Sequence, residues 1–204
     1  MMKYGLNKKN IEKFVFAFYC VGVLLQNILA TKNIELFIFP MTTGVLISPI
    51  VFIMQDVYTE TYGFKKSKNM IIFAYIMNLL MIVSTYIAIR IPSAQYYMNQ
   101  QSFETIFASV PRIAFASFVA YITGSLVNSK IMDLQRESKG LFERAIKGTI
   151  VGQLADNFLF GVIAFFGVMS FKDIFMLAIG ATILEVVYEI VLYPVTKKII
   201  KCIE

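Results

Sequence analysis

The sequence predicts an all-α integral membrane protein with six transmembrane helices. Three observations predict it. Hydrophobic residues make up 58% of the 204 residues, charged residues only 16%, and the mean hydropathy is +0.69. A soluble domain carries about a quarter of its residues as Asp, Glu, Lys or Arg, so this chain has too few to cover a surface in water. Second, six apolar stretches, about residues 14–31, 36–55, 70–90, 103–127, 147–167 and 174–195, approach or exceed the roughly 20 residues that cross a hydrocarbon core of about 30 Å. Third, Lys and Arg are distributed unevenly between the intervening loops. Backbone groups in lipid must bond within their own segment, and no barrel-type alternation is present, so the spans are expected to be helices. The chain reads as a single transmembrane domain over residues 1–204.

The first span follows Lys3, Lys8, Lys9 and Lys13. Its apolar run is longer than a signal-peptide core and no small-residue cleavage pattern follows, so it is expected to be retained. The second span contains Pro40, Gly44 and Pro49. Proline removes a backbone donor and collides with the preceding turn. Such interruptions mark either a packing kink or a discontinuous helix of the kind found at transporter sites. The third span, over 70–90, is uninterrupted. The fourth carries Pro111 and Arg112, then Ala116, Ala120 and Gly124 at four-residue spacing. Small residues at that spacing allow close helix approach, and this face is assigned to packing. The fifth and sixth spans carry the densest polar content.

Loop charge sets the orientation. Fifteen of the 19 Lys and Arg fall in the N-terminal tail, the loops after spans two and four, and the C-terminal tail. Lys32, Arg90 and Lys172 lie on the other side. Cytoplasmic loops are the Lys/Arg-rich ones, so both termini are expected in the cytoplasm, in agreement with an even number of spans. The net charge of +6 then reflects the inner-leaflet bias and calls for no nucleic acid. The chain has no His, and its two Cys are Cys20 and Cys202. That excludes nearly every zinc or haem site and every His-based triad. No metal or cofactor is expected, and nothing marks an enzyme.

Ionisable and amide side chains inside spans are functional candidates by default. Span one ends in Gln26, Asn27 and Thr31. Gln55, Asp56, Tyr58 and Glu60 follow the interruption of span two. Asp56 and Glu60 are four apart and would share a helical face, unless they are hydrated at the head-group level. Arg112 either snorkels to the interface or pairs with an acid of another span. In span five Gly152, Gln153, Asp156, Asn157 and Phe160 fall on one face. A carboxylate, two amides and a ring there would either grip a planar polar heterocycle or clamp two helices. Span six presents Glu185, Tyr188 and Glu189 on one face, followed by Tyr193 and Pro194. Glu189 is either part of the site or hydrated near the inner boundary.

Four runs in series carry a resemblance. They are Pro49-Ile50-Val51-Phe52 with Asp56 and Glu60-Thr61-Tyr62-Gly63; Pro111-Arg112-Ile113-Ala114 with Ala116-Ser117-Phe118; Gly152-Gln153 with Asp156-Asn157; and the segment from Glu189 to Pro194. From about Asn27 to Lys197 the chain resembles the queuosine precursor transporter family, also known as a vitamin uptake family. The resemblance implies six membrane helices, a multi-pass place in the plasma membrane of prokaryotic inner-membrane type, and uptake of deazaguanine bases or queuine for tRNA modification. One departure is Glu185, where the resemblance implies lysine in many relatives. The expected substrate-binding set is Asn27, Gln55, Asp56, Arg112, Gln153, Asp156, Asn157, Phe160, Glu185, Tyr188 and Glu189. The expected partners are a nucleobase-like small molecule and membrane lipid. A homodimer would suit the small-residue faces. A vitamin-binding subunit driven by a separate ATPase module is the alternative, against which Val21 stands where such subunits carry the second alanine of a pair beginning at Ala17. The chain has no Walker-type phosphate loop. Glycine and aspartate at comparable places in spans two and five suggest a 3+3 inverted repeat.

Overall fold

A computed structural model of the chain describes residues 8–134 and 141–203. The N-terminal lysine Lys3 and the loop cations Arg136 and Lys139 lie outside the described residues. The first helix, α1 (Lys8–Leu29), carries its polarity inside out. Phe14, Phe18, Val21 and Leu25 are exposed, while Tyr19, Val23 and Asn27 are buried. An amide turned inward and phenylalanines turned outward suit a helix whose solvent is lipid.

After a turn at Thr31–Lys32, the chain departs from the expected second span. Residues Asn33–Leu36 (β1) and Phe39–Thr42 (β2) form an antiparallel hairpin, in which Leu36 faces Phe39 and Asn33 faces Thr42. A 3₁₀ turn, Thr43–Leu46, follows, and α2 (Ser48–Tyr62) begins only then. The expected continuous helix over 36–55 is thus replaced by a hairpin and a later helix that runs on to Tyr62. The physical cause lies in the prolines. Pro40 would break a helix interior, whereas Pro49 sits in the first turn of α2, where a missing N–H costs nothing. The hairpin turn places Phe37 at φ 58°, a left-handed conformation that disfavours side chains with a Cβ. Gly63, at φ 83°, ends α2 and leads directly into α3 (Phe64–Arg90). Only glycine adopts that backbone without strain, so α2 and α3 reverse over one residue.

The short helix α4 (Gln100–Phe107) precedes α5 (Val110–Leu134). Then come α6 (Leu141–Phe165) and α7 (Phe171–Ile203). The protein is thus mostly helical. Among the described residues, four stretches are long and apolar enough to cross a membrane: Asn10–Leu29, Lys65–Arg90, Gln100–Gly124 and Phe171–Lys201. A shorter apolar helix spans Ile150–Phe165.

Small residues set the closest approaches. Ala116 and Ala120 of α5 are fully buried, as their spacing predicts. At Gly124 an added Cβ would lie 2.8 Å from the Gly152 carbonyl oxygen and 2.8 Å from Cβ of Asp156. The α5–α6 contact therefore depends on glycine at this level. One apolar cluster joins α1, α2 and α3 through Val15, Cys20, Val51, Val57, Met70 and Ala74. A second joins α5, α6, α7 and the turn after α1 through Ala30, Ile113, Ala116, Ala164, Ile174 and Leu177. The hairpin is held from outside itself. Phe39 lies on Gly180 of α7, with its Cβ 2.6 Å from where a glycine-to-alanine Cβ would stand. Thr43 Oγ1 donates to the Leu29 carbonyl at 2.6 Å. A lone two-stranded hairpin is marginal by itself, so this docking fixes its place. Gly180→Val should destabilise the protein by about 1–3 kcal/mol through overpacking, read as a lower midpoint of thermal denaturation in detergent. Adding Phe39→Ala to that variant should recover part of the loss.

Candidate functional site

A cavity of about 110 Å³ opens where the helices meet. One water needs about 10–15 Å³ on this measure, so the space suits a small organic molecule. Every helix except α4 contributes to its wall, and β2 and the 3₁₀ turn close one side with Met41, Thr42, Gly44 and Val45. From α1 the wall takes Tyr19, Val23, Gln26 and Asn27, a single helical stripe that Ala30 continues just past the helix end. Ser48, Val51, Phe52 and Gln55 come from α2, and Tyr75 from α3. Ser117 and Tyr121 come from α5, Asp156, Asn157 and Phe160 from α6, and Leu177, Ala181 and Glu185 from α7.

Hydrogen bonds tie this wall together. Tyr19 Oη donates to Gln55 Oε1 at 3.4 Å, and Gln55 Nε2 donates to Tyr121 Oη at 3.1 Å. That chain links α1, α2 and α5. Gln26 Nε2 donates to Ser48 Oγ at 3.3 Å. Asn27 Nδ2 donates to Asn78 Oδ1 at 2.7 Å, and Asn78 Nδ2 in turn donates to the Ala74 carbonyl at 2.9 Å. Asn27 is thereby a clamp between α1 and α3 as well as a wall residue. Asn157 Nδ2 donates to Glu185 Oε2 at 2.6 Å and to Thr182 Oγ1 at 3.2 Å, so it joins α6 to α7. Asp156 receives no hydrogen bond from a described residue, and its carboxylate is left to the cavity. Phe160 stands one turn above, edge-on to Phe165 with ring centroids 5.8 Å apart.

Six residues of the sequence-derived set therefore meet here: Asn27, Gln55, Asp156, Asn157, Phe160 and Glu185. Five do not line the cavity. Asp56 follows Gln55 by about 100° of helical rotation, which turns it away from the wall. It is exposed and lies close enough to Glu60 and Glu189 to interact electrostatically. Gln153 is one turn before Asp156 and Asn157 on α6. Tyr188 and Glu189 lie one turn beyond Glu185 on α7. Gln153, Tyr188 and Glu189 are not among the residues that line the cavity.

Among the described residues Arg112 pairs with no acid. Its Nε donates to the Ile163 carbonyl and its Nη2 to the Phe166 carbonyl, both at 2.6 Å. These are orphan carbonyls at the C-terminal end of α6, and a guanidinium there also meets the negative end of the helix dipole. The cation fastens the start of α5 to the end of α6 instead of entering the site. Residues missed from sequence include Tyr19, Tyr75 and Tyr121. The available signal was position: Tyr19 begins the stripe that continues through Val23, Gln26, Asn27 and Ala30.

Residues 42–199 match the family described as "Putative vitamin uptake transporter", and the chain belongs to that family. It is a multi-pass membrane transporter of the cell membrane and not an enzyme. Three curated relatives are similar across most of the chain. The "Probable queuosine precursor transporter" of Bacillus subtilis (strain 168) is 26% identical over 160 residues, covering 76% of this chain and 69% of that protein. The protein of the same name from Haemophilus influenzae is 28% identical over 178 residues, covering 80% and 73%. The "Queuosine precursor transporter" of Escherichia coli (strain K12) is 27% identical over 151 residues, covering 72% and 66%. No solved structure matches the chain.

Arg112→Ala should destabilise the protein by about 1.5–3 kcal/mol, the worth of hydrogen bonds made by a charged donor. Arg112→Lys should recover only part, because an ammonium lacks the fork that spans two carbonyls. Thermal denaturation of the two variants in detergent measures both.

Proposed function

We propose that this chain takes up queuosine precursors, deazaguanine bases or queuine, across the cell membrane into the cytoplasm. The observation that carries this reading is the carboxylate of Asp156, without a hydrogen bond from a described residue, facing a cavity walled by amides, hydroxyls and aromatic rings. The names of the three relatives support the substrate class. A deazaguanine presents a ring N–H beside an exocyclic amino group, and two parallel donors match both oxygens of one carboxylate. Its carbonyl accepts from an amide such as that of Gln55, which lines the cavity. Its flat face packs on Phe160 or Tyr75. A base without those donors would leave Asp156 buried and unpaired, which is the strongest kind of rejection a site makes. Asn27, Asn157 and Glu185 complete the binding set, with Asn27 and Asn157 also holding the wall in shape.

In this reading the chain crosses the membrane six times and both termini are cytoplasmic, as the Lys and Arg distribution supports. The second crossing consists of the hairpin, the 3₁₀ turn and α2. Irregular backbone at membrane depth is tolerated where it lines a cavity within the protein. The first three crossings and the last three then form the halves of a 3+3 inverted repeat, with α2 and α6 each supplying part of the wall. A homodimer through lipid-facing surfaces is compatible with this arrangement.

Asp156→Asn should reduce uptake of a labelled deazaguanine by about tenfold to a hundredfold, the cost of a lost charged hydrogen-bond pair. The measurement is initial uptake in cells expressing equal amounts of each protein, paired with ligand-induced thermal stabilisation of the purified proteins. Unchanged uptake and binding would remove Asp156 from the site. A wild-type protein that neither binds nor transports any deazaguanine would end the substrate assignment.

A further inference from the structure

We propose that the segment 91–107 is an interfacial anchor. It lies along the membrane surface opposite Lys65, Lys66 and Lys68, its apolar side chains seated in the head-group layer, with lipid as its partner. The inference needs only that the chain is a multi-pass membrane protein, and it does not depend on what is carried.

The level of the segment follows from α3. Between Lys68 and Arg90 that helix carries no charged residue. The stretch rises about 33 Å at roughly 1.5 Å per residue, close to the roughly 30 Å of a hydrocarbon core. Arg90 therefore emerges among the head groups opposite Lys68, where its guanidinium stacks 3.6 Å from the centroid of the Tyr86 ring. The start of α4 is tied to the same level. Gln100 Nε2 donates to the Ile89 carbonyl at 3.3 Å and to Glu104 Oε1 at 2.7 Å. The other end of α4 passes through a turn at Ala108–Ser109 into α5. There Arg112 holds the start of α5 to carbonyls at the end of α6. Both ends of α4 thus stand at the boundary, and the helix runs along it. The turn, just ahead of Pro111, breaks the apolar stretch Gln100–Gly124, and α5 alone is long enough to cross.

The segment has the chemistry of that place. Between Arg90 and Arg112 the only charged residue is Glu104. Phe103, Ile106 and Phe107 fall on one face of α4 and Gln101 and Thr105 on the opposite one. The Phe103 and Phe107 rings lie side by side, centroids 4.7 Å apart. No residue of α4 is buried, so the bundle does not consume this apolar face. Tyr96 and Met98 are each 88% exposed. These side chains continue the exposed apolar surfaces of α3, at Val83 and Ile87, and of α5, at Phe115. Those surfaces face hydrocarbon, and the apolar face of α4 extends them to the boundary. Tyrosines gather at that boundary because an apolar ring and a polar hydroxyl suit its two sides. An amphipathic helix lies in the same layer. With one acid and no cation of its own, the segment recognises the layer between water and acyl chain, not an anionic head group.

The chain has no tryptophan, so a single introduced one reports its own surroundings. The full chain is placed in phosphatidylcholine nanodiscs whose acyl chains are brominated near the head group, and iodide is added to the water. At the depth of about 5–10 Å expected of an interfacial helix, Ile106→Trp should lose about half its emission or more to bromine and resist iodide. Thr105→Trp, on the other face, should respond to iodide and little to bromine. Tyr96→Trp should behave as Ile106→Trp does. Iodide quenching of both α4 reporters without bromine quenching would place α4 in water and overturn the inference. Shielding of Ile106→Trp from both quenchers would show a protein cover, such as a second copy, and overturn it too. Equal bromine quenching of the two α4 reporters would mean that α4 is immersed in hydrocarbon, with the same result. Should Ile106→Trp fail to fold, Tyr96→Trp, an aromatic exchange at an exposed site, decides between lipid and water by itself.

Discussion

Hydrocarbon offers no partner to a polar group, so each amide, hydroxyl and carboxylate inside this bundle must find one in the protein or in a passenger. Most find one in the protein. Asn27 bonds to Asn78, Gln55 bridges Tyr19 and Tyr121, and Asn157 holds Glu185 and Thr182. Each pair joins different helices, so the polar groups that define the cavity also hold its wall together. Asp156 receives no hydrogen bond from a described residue. It sits where α5 comes closest to α6, against Gly124, on a backbone that cannot move away. Its carboxylate lines the cavity.

The cavity exists because one segment declines to be a helix. From Asn33 to Leu46 the chain runs as a hairpin and a tight turn. Met41, Thr42, Gly44 and Val45 enter the wall from this irregular stretch. Its lack of a continuous helical ladder is compensated by docking onto α7 at Gly180 and by the bond from Thr43 to the Leu29 carbonyl. Transport proteins commonly build their sites from broken helices, and here the break and the cavity share residues.

Arg112 illustrates how a charge within an apolar stretch misleads. A cation in a span suggests a counter-ion for the acids, yet its fork meets two carbonyls at the end of α6. The consequence is electrostatic as much as structural. Occupied at those carbonyls, Arg112 does not line the cavity beside Asp156 and Glu185.

The helical membrane character, four of the long apolar stretches and the polar faces of α1, α6 and α7 were legible in the sequence, because composition and a 3.6-residue period report directly on which side of a helix avoids lipid. Asn27, Asp156, Asn157, Phe160 and Glu185 could be named on that basis. Depth along a helix could not be read. Gln153, Tyr188 and Glu189 share faces with true wall residues and lie a turn away from the cavity, and periodicity says nothing about where a void begins. Gln55 and Asp56 differ by one residue and by one face, and only the start of α2 at Ser48 decides which of them turns inward. The hairpin at 33–42 was hidden because its residues are apolar enough to pass for a span, and the prolines announced a break without its form. Tyr19, Tyr75 and Tyr121 converge from three separate helices. Sequence distance carries no record of that meeting, and only packing brings their hydroxyls to one space.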